Sequence, residues 1–187
     1  MTSPTTQPSG SMDSPDERRQ RLQPWILITQ LYWMSYKLLE RRFYKLGVSA
    51  SQARVLALLY DAAGPMKPSL VATLLFQETQ SITGILHRIE AKGWVRRTPD
   101  ADDRRAISLD LTPAGRELAA DIVRISEELY RDMFESVLSP ADRGHVERIL
   151  KKVRGAAFRM PETDFKLRRA QQYPLWRDAG PRSQRSR

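Results

Sequence analysis

Between residues 94 and 111 the apolar residues of this chain change their spacing, and that change limits what the chain can fold into. On either side they recur every three to four residues, the pattern of helices with one buried face. Inside the window Ile107, Leu109 and Leu111 alternate with Ser108 and Asp110, the pattern of a half-buried strand. WVRRT (94–98) and AISLDL (106–111) therefore read as two short strands. The polar loop PDADDRR (99–105) joins them, so the unit is one β-hairpin in an otherwise helical chain. No βαβ segment and no Gly-rich phosphate loop after a strand are present, which argues against a cofactor-binding enzyme.

The helices can be placed from their punctuation. From Arg18, the residues Leu22, Trp25, Ile26, Tyr32, Tyr36, Leu39, Phe43 and Leu46 mark a long first helix, and Gly47 ends it as a left-handed cap. Ser49 with Gln52 fits a capping box for a second helix. Its apolar face is Ala53, Leu56, Leu59 and Tyr60, and Gly64-Pro65 stops it. A short third helix in PSLVATLLFQ turns Leu70, Val71, Leu74 and Leu75 inward. A fourth in ETQSITGILHRIEAK turns Ile82, Ile85, Leu86 and Ile89 inward, and Gly93 caps it. After the hairpin, Thr112-Pro113 and Ser139-Pro140 are two further helix starts, each a hydroxyl cap followed by proline at the first helical position. Leu118, Ile122, Ile125, Leu129, Met133 and Val137 form a seam suited to packing on another helix. Val146, Ile149, Leu150, Val153, Ala157 and Met160 do the same for the last helix.

Both ends differ from this middle. Residues 1–17 are rich in Ser, Thr, Pro and Gln and nearly devoid of apolar side chains, so they read as a disordered leader. They lack the basic and apolar regions of a secretory signal. Residues 159–187 carry eight Lys or Arg against three Asp or Glu and read as a basic extension. The whole chain has a formal net charge of +9, and the segment between the two ends shares in it. Such a balance favours polyanions, nucleic acid first. Cysteine is absent, which excludes disulfides, thiolate metal sites and thiol redox switches. With only His87 and His145, neither a metal centre nor a cofactor is expected. No apolar run reaches the ~18–20 residues of a membrane span. A cytoplasmic protein without membrane partners is the expectation.

Three short helices followed by a hairpin is the order of a winged helix-turn-helix. A helix fits the ~12 Å wide major groove if its outer face carries short polar side chains. The fourth helix offers Thr79, Gln80, Ser81, Thr83, Gly84, His87 and Arg88 on that face. Gln, Ser and Thr can bond base edges or phosphates, and Gly84 lets a backbone approach closely. Taken alone, they are also ordinary polar residues of a helix start. His87 reads as an exposed or phosphate-bonding side chain and His145 as a surface residue. In the hairpin, Arg96, Arg97, Arg104 and Arg105 flank Asp100, Asp102 and Asp103. A long arginine on a narrow loop can enter the minor groove, and an aspartate two residues earlier can hold its guanidinium.

These residues resemble the MarR family of transcriptional regulators. DADDRRAISLDLTPAG is similar to the family's wing signature, with Asp103 and Arg105 as the Asp-x-Arg pair, followed by Leu111, Thr112 and Gly115. QSITGILHRIEAKGWVRR resembles its recognition helix, except that Trp94 stands where the family often has leucine. The likeness spans roughly residues 25–158. It implies a mainly α fold with a small β-hairpin wing: a winged helix-turn-helix over 49–111 plus a helical dimerisation domain from 18–47 and 113–158. It also implies a homodimer on a pseudo-palindromic operator in double-stranded DNA, usually acting as a repressor, and often released by a small aromatic or phenolic effector. Trp25, Tyr32, Trp33 and Tyr36 are then either dimer core or walls of such a pocket, and Arg54 could pair with a ligand carboxylate. The basic extension is a solvated tail, a helix swapped onto the partner or a further DNA arm. The competing reading is a non-sensing architectural DNA-binding protein.

Overall fold

The computed structural model describes residues 14–161 and 163, except 63 and 101–105. The chain divides into two units, residues 1–38 and 39–187, and helix α1 (Pro15–Tyr44) runs from the first into the second. This helix begins three residues before the expected start. The Ser14 hydroxyl accepts the Glu17 amide at 3.2 Å and the Glu17 carboxylate accepts the Ser14 amide at 2.8 Å, which nucleates the first turn inside the expected leader. The Ser14 backbone amide, and after it the Ser14 hydroxyl, hold the Glu17 carboxyl pKa below its ordinary value by favouring the charged form. The rest of the leader, 1–13, and nearly all of the basic extension lie outside the described residues.

The second unit continues with α2 (Ala50–Asp61), α3 (Pro68–Leu74), α4 (Thr79–Ala91), β1 (Val95–Pro99), β2 (Ile107–Leu111), α5 (Pro113–Tyr130) and α6 (Pro140–Arg159). The helix starts follow the predicted chemistry. Ser49 and Gln52 close a capping box, Thr112 caps α5 through the Gly115 amide, and Ser139 pairs with Asp142. Gly47 and Gly93 both take positive φ, as left-handed caps require. Phe76 does so too, at φ 54°. Its amide and that of Gln77 bond back to Thr73 and Ala72, the paired closure of a helix end where glycine is usual.

The core forms where α2 packs along α5 and α3 packs on α4, under the hairpin. Val55, Leu56, Val71, Ile82, Leu86, Ile89, Leu109 and Ile122 are its most enclosed side chains. β1 and β2 pair antiparallel, with Arg96 opposite Asp110 and Thr98 opposite Ser108. A backbone bridge from Met66 to Leu109, at 2.9 and 2.8 Å, adds a single rung on the other edge of β2.

Two expectations need correction. Alternation predicts Ile107 inward with Leu109 and Leu111, and Ser108 outward; instead Ile107 is exposed and Ser108 is buried. Alternation names the two faces of a strand but not where each stops being covered. At the loop end of the hairpin the Asp100 carboxylate folds over the Ser108 face. The spacing of apolar residues on α5 predicts one seam continuous through Val137. A π-helical turn over Arg131–Glu135 interrupts it and shifts the phase, so Val137 is exposed while Ile122 and Leu129 are buried.

Candidate nucleic-acid interface

Helix α4 is built to be held from one side. Ile82, Ile85, Leu86 and Ile89 are buried at spacings of three and one, and they seat the helix on the core. Thr79, Gln80, Ser81, Thr83, His87 and Arg88 are all exposed, and Gly84 is half-buried between them. The predicted groove face is therefore one continuous outer surface. Its chemistry is more specific than the residue names alone convey. Thr83 Oγ1 donates to the Thr79 carbonyl at 2.9 Å, so its remaining capacity is as an acceptor beside a methyl group. Glu78 caps the helix by backbone position without a side-chain bond, which leaves the first amides of α4 open. A Cβ on Gly84 would meet only Arg88 Nη1, at 3.7 Å. Nothing in the fold requires glycine there, although glycine inside a helix costs about 1 kcal/mol relative to alanine.

The hairpin stands beside this helix, and its base is fixed by ion pairs. Arg96 Nη2 lies 2.7 Å from Asp110 Oδ2, its cross-strand neighbour, and Arg97 Nε bonds both oxygens of Glu90 at 3.2 and 2.9 Å. Arg116 approaches Asp110 from α5 at 4.0 Å. The sequence presents Arg96 and Arg97 as DNA contacts; in the structure Arg96 also pairs across the hairpin and Arg97 also joins the wing to α4. Asp102, Asp103, Arg104 and Arg105 lie outside the described residues. Below the wing, Gly115 touches the Trp94 carbonyl, which also accepts the Thr112 amide at 3.1 Å. Lys92 ties the end of α4 to the end of α1, with its ammonium 3.0 Å from the Gly47 carbonyl and 4.5 Å from the Trp94 ring centroid.

The residues expected to form an effector site fall in both units. In the first, Tyr32, Trp33 and Tyr36 make a cluster with ring centroids 5.3 to 6.3 Å apart, and Trp25 is 68% exposed. In the second, Arg54 donates to the Leu75 carbonyl at 3.0 Å and so secures the end of α3. Sequence reasoning missed one set of contacts beneath the wing: Lys67 and Ser108, which both meet Asp100. The signal available was a serine inside a strand otherwise flanked by Leu, Ile and Asp.

A model of the MarR family matches residues 46–106, from the end of α1 to the wing. The regulator PecS of Dickeya dadantii is 30% identical over 137 residues, covering 71% of this chain and 82% of PecS. The chain belongs to the MarR family. It is a DNA-binding transcriptional regulator of that family, and α2, α3, α4 and the hairpin follow one another in the winged-helix order. MarR of E. coli in its apo form superposes with a TM-score of 0.58 at 26% identity, covering 68% of this chain and 93% of MarR. A cysteine-to-serine mutant of E. coli MarR complexed with operator DNA gives 0.63 at 24% identity, covering 72% and 96%. The fold is shared further with the organohalide-sensing regulator RdhR-CbdbA1625 in its 2,4-dichlorophenol-bound form, at a TM-score of 0.64 and 20% identity, covering 81% and 89%.

Proposed function

We propose that this MarR-family chain is a cytoplasmic homodimeric repressor. It sets two α4 helices, its recognition helices, on a pseudo-palindromic operator and leaves it when a small aromatic ligand binds. The observation that carries the DNA half is the outer face of α4. Seven positions on that face of a well-seated helix hold short polar or basic side chains and one glycine that serves no packing purpose. The likeness to the family's wing signature assigns Arg104 and Arg105, with the Asp103–Arg105 pair, as further DNA contacts of the wing. Support for an aromatic ligand comes from the Tyr32–Trp33–Tyr36 cluster, which offers flat apolar walls with hydroxyl handles, and from the dichlorophenol held by a protein of the same fold. The complex of the E. coli MarR mutant with its operator DNA supports operator binding as the mode of action.

The dimer rests on apolar faces that one copy leaves open. No described side chain of α6 is buried, and Ile149, Leu150 and Val153 form an exposed stripe along it, with exposed Met160 just past its end. Leu22, Trp25, Leu31, Tyr32, Trp33 and Met34 are exposed on α1. Exposed apolar area on this scale marks an association surface. Val153→Glu places a charge in that stripe. It is expected to give a folded monomer by sedimentation and, since two half-sites no longer bind together, to weaken operator binding by about 10²-fold or more. A wild-type chain that sediments as a monomer at micromolar concentration would overturn the dimer.

The direct test selects genomic fragments on the purified protein and compares a selected duplex with its scrambled version by fluorescence anisotropy at several salt concentrations. The expected result is a preference of about a thousandfold. The log–log salt slope should be steep, near −0.9 per phosphate contact. Salt-sensitive binding without preference would instead identify the architectural DNA coat. Phenols and aromatic acids should then release the selected duplex.

A further inference from the structure

Among the described residues only Gln52 and Ser108 are polar and buried. Gln52 closes the capping box of α2. Ser108, 3% exposed in the middle of β2, has no such local duty. Its hydroxyl donates to Asp100 Oδ2 at 2.7 Å. The other carboxylate oxygen of Asp100 lies 3.4 Å from Lys67 Nζ, and the Asp100 side chain is 10% exposed. The Asp100 amide donates to the Ala106 carbonyl at 3.0 Å, so the same residue closes the hairpin across the 101–105 segment. Lys67 is the residue before α3 and makes no side-chain cap there; its ammonium reaches across to the wing instead. The Met66–Leu109 bridge runs alongside.

Enclosing a carboxylate is unfavourable unless its partners compensate, and an apolar pair in the same place would hold the hairpin as firmly. What the polar arrangement adds is direction. A hydroxyl, an ammonium and a backbone closure on one residue fix the point where 101–105 leaves β1 and the point where it returns, both relative to the start of α3. Because α3 packs on α4, that also sets the wing against the recognition helix. We propose that Lys67, Asp100 and Ser108 form a positioning lock that makes the wing and α4 engage DNA as one rigid surface, with Asp100 as its centre. The inference rests on the reading of Arg105 as the wing's DNA contact.

The test is a double-mutant cycle on the full-length protein with a selected duplex and its scrambled counterpart. Arg105→Ala alone should weaken specific binding by about tenfold and make the salt slope shallower. Asp100→Asn should weaken specific binding to a similar extent, leave the scrambled duplex nearly unaffected, and cost little further in the Arg105→Ala background. Ser108→Ala is a second route to the same loss. Thermal midpoints of every variant separate unfolding from mispositioning. If Asp100→Asn and Arg105→Ala add independently, or Asp100→Asn leaves binding intact, the lock fails while the wing reading stands. If Arg105→Ala binds as well as the wild type, the wing reading fails and the lock falls with it.

Discussion

Gly115→Ala is expected to lower the thermal midpoint of the protein by about 10 °C, from a loss on the order of 3 kcal/mol or more. Gly115 sits in the first turn of α5 and is buried. Its backbone is helical, where alanine is preferred by about 1 kcal/mol, so the penalty is steric alone. A Cβ built there runs into the Trp94 carbonyl oxygen and comes within 2.7 Å of its carbon. That carbonyl cannot withdraw freely, because it accepts the Thr112 amide at 3.1 Å and the Thr112 hydroxyl at 3.3 Å. Those bonds tie the end of the α4–wing connection to the start of α5. Gly144→Ala supplies the control, since nothing lies within 4 Å of a Cβ at that helical position. It should stabilise by up to about 1 kcal/mol. Circular-dichroism melts of the two variants should therefore move in opposite directions. Equal midpoints for Gly115→Ala and the wild type would show that the Trp94 strand end gives way.

Gly84→Leu is expected to separate folding from function. The position faces outward on α4, with only the end of the Arg88 side chain nearby, and leucine is a good helix former. The midpoint should hold or rise. Specific DNA affinity should fall by about 100-fold, near 2.7 kcal/mol, because a branched side chain would stand on the face of α4 proposed to enter the groove. Anisotropy against the selected and scrambled duplexes reads the effect. Wild-type affinity in a stable Gly84→Leu protein would remove this face of α4 from the interface.

The elements with strong local chemistry were legible. Ser49 with Gln52, Thr112 with Pro113, and Ser139 with Pro140 each start a helix where the side-chain bonds predict it. The 82, 85, 86, 89 set turned inward, which left the polar face of α4 outward. What was not legible depends on partners distant in the chain. Arg97 reads as a free wing cation until α4 brings Glu90 beside it. Ser108 reads as the wet side of β2 until Asp100 closes over it. The π-turn at Arg131–Glu135 has no proline or glycine to announce it, and Phe76 takes a backbone conformation that its residue type disfavours.

The bridge from Met66 to Leu109 also decides how this small sheet meets other proteins. It pairs the outer edge of β2 at Leu109, so among the described residues the longer unpaired edge of the hairpin is that of β1. Along that edge stand Arg96 and Arg97, and Pro99 ends it with no amide to offer. A strand from another molecule would find like charge and a missing donor where it needs a ladder. Association at the high local concentrations of a DNA-bound regulator is thereby steered away from sheet extension and fibre growth, and toward contacts between helices.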